Sequence, residues 1–445
     1  MQRQTIIRDL GDGLVLRRST PSDADALAEF NAKIHGESET DAPRLAAWTR
    51  DLLTRPHPTF NPDDFTVVEE TATGRIVSSC NLISQRWAYE GIPFGVGRVE
   101  LVGTLSEFRG RGLIRAQFEE LHKWSAERGE MVQSITGIPY FYRQFGYEMG
   151  LELGGGRVGF EPLFPRLKEG ESEPFVFRPA AEADIPFILE VYAHAQKRSL
   201  ITSHRDEKIL HYEIFGKSKE NVNHPEFRVI ERADGERVGY LTHPPFNWNM
   251  GLVLFEFELK PGVSWLEVSP SAARYALAKG KEYAQSDNEP VEMKNSVGFW
   301  HGTAHPAYAV LRDRLPRVRL AYAWYVRVPD LAGFIRHIAP ALEQRLAESY
   351  LPGYSGTLHY TFYRDGLKLV FEKGKLKDAA SYKPASGMDS DAGFPDLAFL
   401  QLVFGYRSMD ELRAHYADCY AETEDAHVVT AALFPKKPSQ VIGLT

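Results

Sequence analysis

Val99-Glu-Leu-Val-Gly-Thr-Leu-Ser-Glu-Phe-Arg109-Gly-Arg-Gly112-Leu-Ile-Arg115 is the stretch from which this chain can be read. An extended apolar run (Val99, Leu101, Val102) leads into a turn punctuated by Gly110 and Gly112. Ile114, Phe118, Leu121 and Ser125 then recur on one helical face, with Gly129 as the stop. Strand, basic glycine turn and helix start together present free backbone N–H groups to an anion. The glycines let the backbone approach closely, and Arg109, Arg111 and Arg115 add fixed positive charge. The ligand this arrangement suggests is a pyrophosphate. A basic surface turn before an ordinary helix would carry the same residues.

Two better-known phosphate loops are excluded. A Walker loop ends in Gly-Lys-Ser/Thr, which is missing here, and Arg115 occupies the place of the third glycine of a dinucleotide fingerprint. What remains, Arg109-Gly110-Arg111-Gly112-Leu113-Ile114, resembles the Arg/Gln-x-x-Gly-x-Gly/Ala signature of the GNAT N-acetyltransferases, with Ile114 where Gly or Ala is usual. In that family the signature holds the pyrophosphate of acetyl-CoA.

The surroundings fit the same reading. Leu14–Arg17 reads as a strand, Ser19 to Asp23 as a helix start, and Ala26, Leu27, Phe30 and Ile34 as its buried face. Phe65–Glu69 and Ile76–Leu82 read as strands, and Met131–Ile135 as one more after the helix. This order gives an α/β layer with its ligand where the central strands end. It is also the order of the GNAT fold. Trp87, Tyr89 and Phe94, before the central strand, either line an acceptor pocket or belong to the core.

Beyond the last strand stands Gly137-Ile138-Pro-Tyr140-Phe141-Tyr142-Arg143-Gln144-Phe145-Gly146-Tyr147. Tyr142-x-x-Phe145-Gly146-Tyr147 resembles a segment of the enhanced intracellular survival (Eis) acetyltransferases, with Gln144 where that family has arginine. The resemblance implies that Tyr142 is the general acid that protonates the leaving thiolate. A phenol of ordinary pKa near ~10 is a competent donor for that step. The aromatic residues of the segment would equally pack as a wedge closing the domain.

The resemblance further implies acetyl-CoA as co-substrate, with no metal. Its pantetheine arm would pair with the backbone of Val102, Gly103 and Thr104. Its pyrophosphate would rest on Arg109, Gly110, Arg111, Gly112, Leu113, Ile114 and Arg115, with Gly137 and Ile138 beside it, and a backbone N–H near Val102 would face the oxyanion. In Eis enzymes the terminal carboxylate takes the proton from the attacking amine, which points to Thr445 at the end of the apolar run Val441-Ile-Gly-Leu-Thr445. Packing of that tail on its own domain, Glu100 as base, and no protein base remain alternatives. The acceptor would be a small or peptide-like molecule bearing an amine.

The rest of the chain divides into two further blocks. Phe177-Arg178 to Asp184 repeats the spacing of Leu16-Arg17 to Asp23; Phe227–Glu231 and Gly235–Val238 repeat Phe65–Glu69 and Gly74–Val77. At the second turn, Ser264 to Ser271, there is neither a glycine pair nor an arginine cluster, and Pro270 removes an N–H just where a helix is expected to begin. Residues 157–327 are therefore expected to be a second GNAT-like domain without coenzyme. From 328, Leu331, Phe334, Ile335, Ile338, Leu342 and Leu346 mark a helix kinked at Pro340. Strands around Leu358–Phe362 and Leu367–Phe371 flank Arg364-Asp365-Gly366, and Ser408-x-x-Glu411 is a capping box. These features match the sterol-carrier-protein-like domain that ends Eis proteins. The expected architecture is thus α/β (α+β): residues 1–156 catalytic, 157–327 a second GNAT-like domain, 328–445 sterol-carrier-protein-like.

Composition agrees with a soluble enzyme. The chain has 445 residues, 43% hydrophobic and 25% charged, with a net charge of −8. The acidic balance argues against nucleic acid as partner, and no 18-residue apolar run suggests a membrane span. Without an apolar leader in Met1–Asp9, and with only Cys80 and Cys419, a reduced cytoplasmic setting is expected. Self-assembly into a homo-oligomer is left open. The fourteen histidines are scattered and read mostly as surface or cap residues; His301 and His305 straddle Gly302 and lack the Glu of a zinc helix. A rival reading is a non-catalytic protein that binds an apolar ligand or senses acyl-CoA.

Overall fold

The structure is a computed structural model and describes residues 5–445 apart from 37, 39, 249–250, 385–389, 396 and 444. The first run of elements is β1 (Ile6–Gly11), β2 (Leu14–Arg18), α1 (Ala24–His35), α2 (Asp41–Thr54), β3 (Phe65–Glu70), β4 (Arg75–Tyr89), β5 (Ile92–Thr104), α3 (Leu113–Glu127), β6 (Val132–Ile135) and β7 (Glu148–Leu153). β4 and β5 form a long hairpin closed by Glu90 and Gly91, both at positive φ, the two-residue turn that matches strand twist. Leu113, Phe118, Leu121 and Trp124 bury one face of α3.

The second run is β8 (Gly156–Phe160), β9 (Phe175–Pro179), α4 (Ile185–Gln196), β10 (Ile201–Ser203), α5 (Glu207–His211), β11 (Glu226–Arg232), β12 (Arg237–His243), β13 (Gly251–Leu254) and β14 (Glu256–Leu259). It continues through α6 (Trp265–Ser286), β15 (Ser296–Phe299), α7 (Pro306–Leu311), β16 (Arg317–Arg319) and β17 (Tyr322–Arg327). The repeat read in the sequence is visible as bonding. Arg17 binds Glu69 through Nε (2.7 Å) and Asp23 through both Nη atoms, and Asp23 accepts from Thr20 N–H. Arg178 binds Glu231 (2.8 Å) and Asp184 in the same way, and Asp184 accepts from Ala181 N–H.

The first sheet takes in strands from beyond residue 156. Among the described residues, the first sheet runs β1-β2-β3-β4-β5-β6-β17-β7, with β10 also on β4. β17, from the far end of the second run, thus sits between β6 and β7, antiparallel to both. β8 stays with its own run and sits between β15 and β16, antiparallel to both. The first unit completes its sheet with a strand from the second. Sequence spacing cannot show this, because an alternating apolar strand reads alike whichever sheet it joins.

The third run is α8 (Leu331–His337), α9 (Ala339–Glu348), β18 (Gly356–Thr361), β19 (Gly366–Glu372), β20 (Lys375–Tyr382), β21 (Ala392–Gly393), α10 (Phe399–Val403), α11 (Met409–His415), β22 (Tyr420–Ala421) and α12 (Glu424–Leu433). Pro340 opens α9, which separates it from α8 at the expected kink. The Ser408–Glu411 capping box forms in both directions. Trp87, Tyr89 and Phe94 are core, not pocket: the tip of the β4–β5 hairpin plugs into this third block, where Phe334 meets Phe94 and Tyr89, and the Tyr89 hydroxyl donates to Val403 O (2.8 Å). Cys80 and Cys419 are free and buried. No helix among the described residues is long and apolar enough to cross a membrane.

Candidate active site

The site begins with a fault in β5. Opposite Cys80 the register slips, because Asn81 pairs with Glu100 while Ser79 pairs with Gly103. Leu101, at φ 52°, and Val102 form this bulge, which breaks the ladder where backbone groups are needed for a ligand. On its other side β5 pairs with β6 only from Val96 to Arg98. Beyond Arg98 the two strands diverge, so the edge of β5 through Val102, Gly103 and Thr104 faces a cleft.

The cleft leads to the basic turn. Gly110 and Gly112 lie at φ 77° and 74°, and a Cβ on either would meet nothing within 4 Å. Glycine is needed there for its backbone conformation rather than for space. Gly112 is the N-cap of α3 and offers no side-chain cap, and the first turn of α3 holds no acid. The N–H groups of Leu113, Ile114 and Arg115 are thus left for an anion. Arg109 is anchored to Thr104 O (3.3 Å), Arg111 lies over the Phe108 ring, and Arg115 binds Gln144 Oε1 (3.2 Å) and lies over Phe145. Gln144 is thereby wired to the phosphate side of the cleft.

Tyr142 sits at the cleft's other end, on a single turn of 3-10 helix, Phe141–Phe145, that ends at Gly146 in the left-handed region. Its ring stacks on Phe118 of α3 and meets Tyr325 of β17 edge-on. Burial pushes the phenol well above its usual range, and the nearby Glu100 carboxylate adds to the shift. The group therefore stays protonated at neutral pH, the state a proton donor needs. Gly137 lies against it: a Cβ there would stand 3.5 Å from the Tyr142 hydroxyl, while Ile138 is exposed. Arg143 pairs with the buried Glu148 (3.0 Å), and Glu100 pairs with Arg98.

A cavity of about 1250 Å³ opens between the first run, the second run and the tail. Arg98, Tyr322 and Trp324 line it on the side of the cleft, and Glu213, Lys217 and Glu256 on the side of the second run. The indole N–H groups of Trp300 and Trp324 and the Asn247 Oδ1 are buried in its wall without a protein partner, among the described residues. Such orphaned groups suit a polar ligand.

Thr445 is buried in the same cavity. The tail reaches it along β10, where Gln440 N donates to Ile201 O and Ser203 exchanges hydrogen bonds with Ile442. Lys217 Nζ donates to the Thr445 hydroxyl (3.0 Å), and burial lowers Lys217 to about 8. His57 accepts from Thr59 N–H at Nδ1, so its hydrogen is on Nε2, which faces the Thr445 backbone oxygen. Sequence reasoning missed Tyr322, Tyr325, His57 and Lys217, since each comes to the site through long-range pairing. Among the described residues no direct bond joins Thr445 to Tyr142, and Tyr142 is not part of the cavity lining.

The corresponding corner of the second run is closed. α6 starts at Trp265, five residues earlier than the turn expected around Pro270, and Ser264 caps it by accepting from Glu267 N–H. Pro270 is tolerated inside α6 because the carbonyl four residues back belongs to Leu266, which is exposed to water. Trp265 packs on His305 (5.0 Å) and Phe257 (5.1 Å), and His301 lies 4.3 Å from His305, ring to ring. Both imidazoles are buried and held neutral by burial, contrary to the expected surface role. Among the described residues no group of three or more His, Cys, Asp or Glu is arranged to hold a metal ion.

Residues 15–150 match the family model of an acetyltransferase (GNAT) domain. No curated protein matches the chain. Solved structures that share its fold include three that cover nearly the whole chain. One is a protein of Enterococcus faecalis V583 described as a probable N-acyltransferase, with a TM-score of 0.65 at 15% identity, over 97% of this chain and 100% of that one. A GCN5-related N-acetyltransferase from Anabaena variabilis gives 0.62 at 13%, over 96% and 99%. Eis1 from Mycobacterium abscessus gives 0.57 at 12%, over 97% and 99%.

Proposed function

We propose that this chain, an enzyme by virtue of its GNAT acetyltransferase domain, moves the acetyl group of acetyl-CoA directly to the amine of a small or peptide-like acceptor. The observation that carries the reading is the edge of β5 left without β6 beyond Arg98, which ends at an uncapped, basic helix start and packs Val102 in one cluster with a buried, protonated phenol. In this reading the coenzyme's pyrophosphate rests on Gly110 to Arg115 and its pantetheine arm follows the free edge of β5. The amine enters from the cavity and its lone pair attacks the thioester carbon. The resulting oxyanion faces a backbone N–H at the bulge near Val102, an interaction typically worth ~3 kcal/mol. The C–S bond then breaks, its electron pair goes to sulfur, and Tyr142 supplies the proton.

The ammonium formed on attack must lose a proton. We assign that step to the carboxylate of Thr445, a residue buried in the cavity, with Lys217 on its side-chain hydroxyl and His57 against its backbone oxygen. Glu100 is the weaker choice because Arg98 already neutralises it. We also read the three runs as two GNAT-like units, supported by the paired Arg–Asp–Glu triads, followed by a sterol-carrier-protein-like unit built on the five-stranded sheet.

The test is thiol release from acetyl-CoA with a panel of polyamines, aminoglycosides and peptides with free N-termini. Turnover on at least one amine, lowered by about 10²–10⁴-fold in Tyr142→Phe, is expected. Tight acetyl-CoA binding with no turnover on any of them would instead support a sensing or carrier role.

A further inference from the structure

β17 reaches the acid turn from about 180 residues away and holds it at several points. Tyr325 accepts at its hydroxyl from Tyr140 N–H (2.5 Å), and its ring meets Tyr142 at 5.6 Å. Tyr322 donates from its hydroxyl to Gly137 O (2.6 Å), at the residue that lies against the Tyr142 phenol. Arg327 donates to Gln133 Oε1 (2.8 Å), and its chain packs beneath Gly146, where the turn ends. The segment makes a few bonds of its own, Arg143 N–H to Tyr140 O and Phe141 N–H to Ile138 O among them, yet it carries a strained residue. Tyr140 has φ 61°, a left-handed conformation that is unfavourable for a residue with a side chain, and its own side chain is exposed. A backbone conformation of this kind persists only where the surroundings impose it.

We propose that Tyr325, assisted by Tyr322, is a positioning residue for Tyr142: the strand lent by the second run fixes the phenol in the cleft of the first. This rests on the reading of Tyr142 as the acid. It gives the second run a part in catalysis although its own corner is closed. The physical reason is tolerance: a catalytic proton donor must be held to a fraction of an ångström, and a misplacement of about 1 Å can cost ~100-fold in rate.

A double-mutant cycle with Tyr142→Phe and Tyr325→Phe tests it, using acetyl-CoA and the fastest amine of the panel above. Tyr325→Phe keeps the ring and removes only the hydroxyl. Expected are a fall in kcat of about 10- to 100-fold with KM for acetyl-CoA unchanged, and almost no further fall when Tyr142 is already Phe. Tyr322→Phe is expected to act in the same direction and less strongly. Independently of any acceptor, amide hydrogen exchange at Tyr140 is expected to speed up in the folded Tyr325→Phe protein. The same loss in both backgrounds, or unchanged exchange at Tyr140, would overturn the positioning role and leave the acid in place. An inert Tyr142→Phe would overturn the acid reading and this proposal with it.

Discussion

The corner after β5 and the corner after β14 start from the same plan and end in opposite states. In the first, two left-handed glycines precede a helix with no cap and no acid in its first turn. In the second, Ser264 caps the helix, Glu267 puts a negative charge in its first turn, and Trp265 with two neutral histidines fills the space beside the strand. A helix start can either satisfy its own N–H groups or keep them for an anion, but not both. The fold supplies the frame, and a few residues decide whether the frame is a site.

The comparison breaks most visibly at the acid. Tyr142→Phe is expected to lower kcat by about 10²–10⁴-fold with KM for acetyl-CoA little changed, whereas His305→Phe in the second corner leaves steady-state kinetics as they were. Next comes the phosphate turn. Replacing both Arg111 and Gly112 by Glu reverses charge and forces a side chain into the left-handed region. Calorimetry should show acetyl-CoA affinity reduced by at least about 100-fold, against no change for Glu267→Lys.

Protonation sharpens the contrast. Burial lowers His122, beside Tyr147 in the first corner, to about 3, so its neutral form is the folded one. The unfolded chain takes up its proton near pH 6.5. Stability from this group is therefore complete above that pH and falls as the pH drops toward 3, by about 2 kcal/mol at pH 5. Burial lowers His301 and His305 as well, so their contribution is lost in the same direction as the pH falls. Thermal unfolding followed from pH 7 to 5 should fall less steeply in His122→Gln, and less steeply again in a His301→Gln/His305→Gln protein. The smallest effect is at the cap itself. Ser264→Ala should cost about 0.5–1 kcal/mol by chemical denaturation and leave acetyl-CoA binding unchanged.

What could be read in advance was local. The α3 face, the turn, the 364–366 hairpin, the Ser408 cap and the Arg-to-Asp repeat each depend on residues a few positions apart, and each is present. α2, which buries Trp48, Leu52 and Leu53 on one face, is an element beyond those expected, and its N-cap residue Thr40 makes no side-chain capping bond to mark its start. The misreadings share one cause. Trp87, Tyr89 and Phe94 carry the composition of a pocket and that of a core equally well, and only the third block's arrival decides between them. His301 and His305 looked polar in sequence, yet a neutral imidazole packs against Trp265 and Phe257 as an aromatic ring does. At the candidate site, Tyr142 and the glycine turn were legible through motif. Tyr322 and Tyr325 were not, since nothing near them says which sheet β17 will enter.

That loan of β17 also constrains how the protein is made. When a ribosome has delivered residues up to 156, the half that carries the turn and the phenol has a slot one strand wide between β6 and β7, flanked by unpaired backbone. The slot closes only after β17 emerges, so the two halves mature together rather than in succession. A gene shortened after the first half would therefore yield an open-edged, aggregation-prone product, and supplying the two halves as separate polypeptides should restore solubility only when both are present.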